Sequence, residues 1–250
     1  MAESLQPVAV VTGAGSGIGR SVALMLAKNG YQIVLAGRSE ASLRKVAAEI
    51  ESLTRGATRT LAVPTDVAKP EQIERLITST DKEFGRLDVL VNNAGCGDLL
   101  PIDQTNLSII RRAFDTNAVG PAMAIHLAWP IFKRRKSGCI VNISTAGTAD
   151  PFQGFFAYAA SKASVNLMAR SCAKEGKPIG VRAFSIAPGA VETPLLRSLF
   201  NESVIPSSAC MSPDEVAHII VDCIAGRRNA DNGKTIFVMR AGDQLRETVA

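Results

Sequence analysis

A short apolar run, Val8 to Val11, leads straight into Thr12-Gly13-Ala14-Gly15-Ser16-Gly17-Ile18-Gly19. An apolar-periodic stretch with Ile18, Val22 and Leu26 follows, and Asn29-Gly30 ends it as a helix C-terminus would. A strand that breaks into glycines and restarts as a helix constrains the fold more than any other feature of the chain. Glycines permit a tight turn and close approach of the backbone to a bound group. The helix behind them offers unpaired N–H groups and the positive end of its dipole, which suits a pyrophosphate. The spacing carries further information. The common dinucleotide pattern GxGxxG would need glycine at Ile18 if counted from Gly13, or at Arg20 if counted from Gly15. The pattern present is TGxxxGIG, built on Gly13, Gly17 and Gly19, with Ser16 and Ile18 between them.

The alternation of strand and helix then runs to the end of the chain. Ile33 to Ala36, Thr60 to Val63, Leu87 to Val91, Cys139 to Ile143, Val181 to Ile186 and Thr235 to Met239 read as strands. Helical spacing of apolar residues begins after Ser39, a plausible N-cap, and after Pro70, and covers 104–115, 117–135, 157–175 and 213–225. Short apolar strands between amphipathic helices imply parallel strands covered on both faces. The expected fold is α/β: a single doubly wound, Rossmann-type domain over residues 1–250, with a parallel seven-stranded sheet and helices on both faces. Ligands of such sheets bind outside the carboxyl ends of the strands.

Composition narrows the partners. Of 250 residues 46% are apolar and 20% charged, which supports a sizeable core and argues against disorder. The net charge of +5 reads first as a solvated surface. The one dense basic run, Lys133-Arg134-Arg135-Lys136, follows an apolar helix-like stretch, where cations favour the dipole, and no aromatic residues interleave with it as in a nucleic-acid patch. Five cysteines, Cys96, Cys139, Cys172, Cys210 and Cys223, show no CxxC spacing and read as free thiols of a reducing compartment. His126 and His218 lack the partners of a zinc site, so no metal is expected. The first residues show no basic and apolar leader, and the apolar stretch Ala122–Phe132 is too short to span a bilayer. These features place the expected protein in the cytoplasm, without membrane or nucleic-acid partners.

Tyr158 and Lys162 stand four residues apart in a helical segment, on one face. A phenol ordinarily titrates near pH 10, too high for proton transfer near neutrality, and a nearby ammonium lowers that value. At the end of the second strand, where an acidic residue would hold the ribose 2′-OH of NAD, the chain carries Gly37 followed by Arg38 and Ser39. A guanidinium suits a 2′-phosphate, and Ser39 can add a hydrogen bond, so NADP(H) is expected in preference to NAD(H).

TGxxxGIG, Asn92-Asn93-Ala94-Gly95 after the fourth strand and Tyr158-x-x-x-Lys162, in that order, resemble the short-chain dehydrogenase/reductase family over nearly the whole chain. The resemblance implies adenine contacts from Asp66 and Val67, and a nicotinamide-side segment from Pro188 and Gly189 through Val191 to Thr193. It implies cofactor contacts at Asn93, Ala94 and Gly95, and a ribose contact from Lys162 beside the catalytic Tyr158. It also implies a hydroxyl that orients the substrate carbonyl. Counting thirteen residues back from Tyr158 selects Thr145, whereas aligning on the glycine three residues beyond the hydroxyl selects Ser144. Asn117, in an NxxG context, matches the family position that holds the lysine and a proton-relay water. The implied activity interconverts a small-molecule carbonyl and a secondary alcohol, a 3-oxoacyl thioester or another ketone, in a homo-oligomer packed through helices near 105–135 and 157–175. Segments 96–100, 150–156 and 195–205 carry apolar and aromatic residues suited to line a substrate pocket. A non-catalytic, redox-sensing dinucleotide binder is the alternative, although it has no need of the Tyr158–Lys162 pair. The usual glycine pair after the last strand is replaced by Met239-Arg240-Ala241-Gly242.

Overall fold

A computed structural model describes residues 6–242 and 244–250. The chain begins β1 (Val8–Thr12), α1 (Gly17–Lys28), β2 (Gln32–Gly37), α2 (Glu40–Thr54), β3 (Thr60–Pro64), α3 (Pro70–Phe84) and β4 (Val89–Asn92). It continues α4 (Leu107–Phe114), α5 (Gly120–Arg135), β5 (Gly138–Ile143), α6 (Phe156–Gly176) and β6 (Val181–Pro188). It closes with α7 (Pro194–Leu199), α8 (Pro213–Ile224), β7 (Thr235–Ala241) and β8 (Gln244–Val249).

The strands form one sheet in the order β3-β2-β1-β4-β5-β6-β7-β8, parallel through β7. Burial on both faces explains the apolar runs: along β1, Ala9 and Val11 face one core while Val8 and Val10 face the other. The first core packs α1, α2 and α8 on the sheet through Val22, Leu26, Leu43, Ile50, Val216 and Ile220. The second packs α3, α5 and α6 through Ile73, Leu76, Ala128, Phe132 and Ala169. The strand order reverses at β1, whose neighbours are β2 and β4. The crevice above that switch point is where a doubly wound sheet receives its ligand.

Three features depart from the sequence expectation. The sheet has eight strands rather than seven. Gly242, at φ 60°, turns the chain back, and β8 pairs antiparallel with β7. Every residue of β8 is exposed, so no apolar run marks it. The chain from 104 to 135 is broken differently: a five-residue π-helical stretch, Asp115–Val119, separates α4 from α5. The six-residue α7 was not expected, and Thr193 caps it by accepting a bond from Leu196 N. Ser39 does cap α2, accepting from Ser42 N. The basic run ends α5, with Arg134 on Asp81 and Arg135 on Asp88. All five cysteines are free thiols. Among the described residues no helix is long and apolar enough to cross a membrane.

Candidate active site

The carboxyl ends of β1 and β4 are clamped together across the switch point. Thr12 Oγ1 donates to Val91 O at 3.3 Å and accepts from the N–H groups of Asn93 and Ala94, each at 3.0 Å. Asn93 Nδ2 donates to Thr12 O (2.8 Å) and Gly13 O (3.2 Å). Thr12 and the Asn-Asn-Ala-Gly segment therefore form one unit, and the hydroxyl at the strand end is a functional position that motif spacing alone did not single out.

The glycine loop packs too closely for side chains. A methyl group on Gly19 would stand 2.3 Å from Gly13 O, and one on Gly17 3.0 Å from Thr193 Cγ2. Gly17, at φ 51°, also takes a conformation that other residues resist. Ser16 occupies the N-cap of α1, yet its side chain makes no capping bond, and the first turn holds no acidic residue. The first intrahelical bond runs from Arg20 N to Ser16 O. The N–H groups of Gly17, Ile18 and Gly19 come before it and lack intrahelical acceptors. An exposed hydroxyl, three N–H groups and a glycine floor make a cradle that fits a pyrophosphate.

At the adjacent strand ends, Arg38 is exposed and makes no ion pair among the described residues. Asp66 and Val67 follow β3. Asp66 Oδ1 accepts from Ala68 N at 3.0 Å, and its own N–H donates to Gln72 Oε1 at 2.8 Å. On the other side, Gly189 N donates to Val238 O at 2.8 Å after β6 ends at Pro188, and Val191 pairs with Met211. Thr193 then brings α7 against Gly17. The expected nicotinamide-side segment is thus folded onto the mouth of the glycine loop.

Tyr158 and Lys162 lie in the first two turns of α6, both buried. The two candidate hydroxyls part company at the end of β5. Ser144 is buried and its Oγ donates to Lys162 O at 3.3 Å. Thr145 is half-buried, and its hydroxyl lies beside the Tyr158 phenol and favours its ionised form. Thr145 Oγ1 also accepts from Gly147 N at 3.2 Å, capping a 3₁₀ turn at Ala146–Thr148. Lys162 Nζ donates to Ile143 O at 2.8 Å.

Burial sets both ionisations. It pushes Tyr158 up to about 12, against the lowering effect of the neighbouring Thr145 hydroxyl. It pulls Lys162 down to about 8. In the protein by itself, desolvation of the phenolate outweighs the lowering effect of its neighbours.

Asn117 sits in the π-helical stretch and is wholly buried. Its Nδ2 donates to Cys96 O (2.8 Å) and Ser161 Oγ (3.0 Å), and its Oδ1 accepts from Cys96 N (3.0 Å). Its carboxamide thus ties residue 96 to α6 rather than bonding Lys162, and Cys96 and Ser161 join the site as partners no spacing signal announced. Two glycines leave room for the pair. A methyl group on Gly95 would lie 3.0 Å from Lys162 Nζ, and one on Gly97 3.0 Å from Tyr158 Cδ2.

Beside Tyr158 stands an aromatic wall. Phe155 meets Tyr158, Phe152 and Phe200 with ring centroids 5.0, 5.6 and 6.0 Å apart. Leu196, Leu199 and Ile205 pack on the same cluster, which is separate from the two sheet cores.

A doubly wound sheet with a glycine cradle at its switch point, and a tyrosine and lysine at the neighbouring strand ends, defines a nicotinamide-dinucleotide oxidoreductase. Comparison with known proteins agrees. The model of the short chain dehydrogenase family matches residues 7–203. An uncharacterized oxidoreductase of Staphylococcus saprophyticus is 37% identical over 234 residues, 91% of this chain and 99% of that protein. A short chain dehydrogenase/reductase of Aspergillus oryzae is 35% identical over 199 residues, 78% of this chain and 75% of its own. Among solved structures, levodione reductase superposes with a TM-score of 0.87 at 25% identity, covering 93% of this chain and 96% of that one. The 3-ketoacyl-(acyl-carrier-protein) reductase of Brucella melitensis, complexed with NADH, gives a TM-score of 0.86 at 28% identity, covering 94% and 98%. The chain belongs to the short-chain dehydrogenase/reductase family, and is an oxidoreductase acting on a CH–OH or carbonyl group with NAD(P).

Proposed function

We propose that the chain is one catalytic domain over residues 1–250, reducing a ketone or oxidising the matching secondary alcohol with NADP(H), with Tyr158 as general acid and base. The observation that carries this reading is the buried Tyr158 phenol, beside the Thr145 hydroxyl and one helical turn from Lys162, at the strand ends beside the glycine cradle.

The bound nicotinamide supplies or accepts the hydride. The protein's residues do the rest. Gly13, Ser16, Gly17, Ile18 and Gly19 hold the pyrophosphate; Asp66, Val67, Asn93, Ala94 and Gly95 line the adenosine side; Pro188, Gly189, Val191 and Thr193 line the nicotinamide side. Thr145 keeps its own proton after accepting from Gly147 N, so it can donate to a substrate carbonyl oxygen. Tyr158, at the same strand ends, is placed to donate its phenol proton to that oxygen during reduction. Lys162 spends one donor on Ile143 O and retains others for the nicotinamide ribose. Asn117 holds the loop at Cys96 and completes the proton path. Ser144 supports α6 and takes no direct part. Arg38, exposed and without an ion pair among the described residues, favours the 2′-phosphate of NADP(H). We place the enzyme in the cytoplasm as a homodimer or homotetramer, with α4, α5 and α6 at the interface. The exposed Leu107, Val119 and Leu167 support that interface.

The test is NADPH and NADH oxidation against a panel of ketones, aldehydes and 3-oxoacyl thioesters. Tyr158→Phe is expected to abolish turnover and keep cofactor binding, and Arg38→Ala to weaken NADPH selectively. A preference for NADH overturns the cofactor assignment. Silence across the panel with tight NADPH binding favours a redox-sensing binder instead.

A further inference from the structure

Residues 192–210 leave the sheet and return to it as a closed loop. Its base is fixed by backbone bonds from Glu192 N to Met211 O and from Met211 N to Ala190 O, both 2.9 Å. One side chain makes the widest set of bonds across its interior. Arg197, on α7, donates from Nε to Glu192 Oε1 at 2.7 Å, and from Nη2 to the second carboxylate oxygen. Nη1 donates to Ile205 O at 2.8 Å and to Phe200 O at 3.5 Å, while Nη2 also reaches Ser207 Oγ at 3.2 Å and Cys210 Sγ at 3.6 Å. The guanidinium thus satisfies a carboxylate, two carbonyls, a hydroxyl and a thiol across the loop. Hydrogen bonding to Arg197 holds the Glu192 carboxyl down to about 2.

What the loop carries is the far side of the aromatic wall. Phe200 is buried against Phe155 and Phe152, and Ile205 packs beside it. This wall belongs to neither sheet core, so its position is set by the loop's bonds, by the ring contacts of Phe200 with Phe152 and Phe155, and by the Arg240 bond to Cys210 O. The charges around it are already spoken for. Arg197 is neutralised by Glu192, and Arg112 by Asp98, while Asp150 and Glu202 stand exposed. In segments 96–100, 150–156 and 195–205 no cation is left to receive an anionic substituent.

We propose that Arg197 is a positioning residue that latches residues 200–210 so that Phe200 and Phe155 form the substrate wall, and that this wall takes the uncharged aromatic or apolar substituent of a ketone. The proposal rests on the carbonyl-reductase reading above and names its substrate class. Arg197 acts through Phe200 and touches no reacting atom. A lysine cannot replace the planar fork that grips both carboxylate oxygens and the carbonyls together.

The experiment compares wild type with Arg197→Ala and Arg197→Lys, using an aryl ketone and a small dialkyl ketone. Thermal melting and NADPH affinity report on folding and on the cofactor site. In Arg197→Ala, KM for the aryl ketone is expected to rise by about tenfold more than KM for the small ketone, with kcat for each falling far less. Arg197→Lys should recover only part of the loss. Equal losses on both ketones, or wild-type preference for acyl thioesters and other anionic carbonyl compounds, overturn the proposal. A second arm needs no activity. Limited proteolysis with NADPH bound should cut Arg197→Ala within 198–208 much faster than wild type at an unchanged melting temperature, and equal cutting overturns the latch. A wild type that reduces no ketone yet shows the faster cutting in the variant refutes the substrate assignment and the reductase reading while upholding the latch.

Discussion

Replacing Thr145 and Ser144 one at a time separates two hydroxyls that adjoin in sequence and differ in surroundings. Thr145→Ala removes two things. One is the cap on Gly147 N, made at 3.2 Å, worth ~1 kcal/mol of stability, or about 2–4 °C in melting temperature for a chain of this size. The other is the hydroxyl beside Tyr158 that, in the proposed mechanism, bonds the substrate oxygen. Losing one preorganised donor to a developing oxyanion costs ~2.7–4 kcal/mol in the transition state, so kcat should fall about 100- to 1000-fold. Ser144→Ala removes only a 3.3 Å bond to Lys162 O, with a net cost of ~1 kcal/mol in stability and a change in kcat within about threefold. Thr145→Ser keeps the hydroxyl and its bond to Gly147 N and should retain most activity. The assay is steady-state NADPH oxidation with the best ketone of the panel, with melting curves run alongside. If Ser144→Ala loses as much turnover as Thr145→Ala, or Thr145→Ala stays within about tenfold of wild type, the assignment from side-chain geometry is wrong.

The site and the core supply two more predictions. Gly95→Ala puts a methyl group 3.0 Å from Lys162 Nζ and 3.2 Å from Asn117 Oδ1. The lysine tip must then give by a few tenths of an ångström, enough to misalign it, so turnover should drop by about tenfold while stability falls by less than ~3 kcal/mol; kinetics and melting on one preparation check this, and undiminished turnover contradicts it. Stability should also fall in alkali. Burial pushes Cys139 and Cys172 up to about 11 and Cys223 to about 12, from an ordinary 9.0, so the folded state keeps protons that the unfolded chain sheds above pH 9. The thiols' contribution is complete below that pH and is lost as pH rises through 11 to 12. Lys162, held at about 8 instead of 10.5, works in the opposite sense between those values, and Tyr158 joins the thiols above 10. Three thiols and a phenol outweigh one lysine, so denaturant midpoints should decline from pH 9 to 11; a midpoint that climbs through that range contradicts the assignment.

The fold was legible because burial on both faces leaves a mark on composition. β1 contributes to the two cores with alternate residues, so it must be apolar throughout, and the same holds for the central strands up to β6. β8 faces no core on either side, and its sequence, Gln-Leu-Arg-Glu-Thr-Val, carries no such mark. The π-helical stretch at 115–119 was invisible for another reason. One residue added to a helical turn shifts the register without altering which residue types are apolar, so the pattern reads through it as two helices. Arg197 escaped notice because most of its acceptors are backbone carbonyls and small groups spread from 192 to 210, and a bond to a carbonyl leaves no trace in side-chain spacing.

The adjacent hydroxyls show most sharply where sequence counting stops. Successive residues of an extended chain point to opposite sides, so of two neighbours just beyond β5, one must face α6 and the other the crevice. Counting from Tyr158 and counting from Gly147 disagree by one residue, and one residue is the whole difference between the two sides. The register of β5 decides. Asn142 lies opposite Asn92 on β4, bonded to it at 3.0 Å, and Ser144 N donates to Ile186 O of β6 at 2.7 Å. These pairings fix Ser144 against the Lys162 carbonyl and leave Thr145 facing the phenol. The paired alanine variants therefore test the register of a strand end as directly as they test a catalytic role: with β5 shifted by one residue, the two phenotypes would exchange.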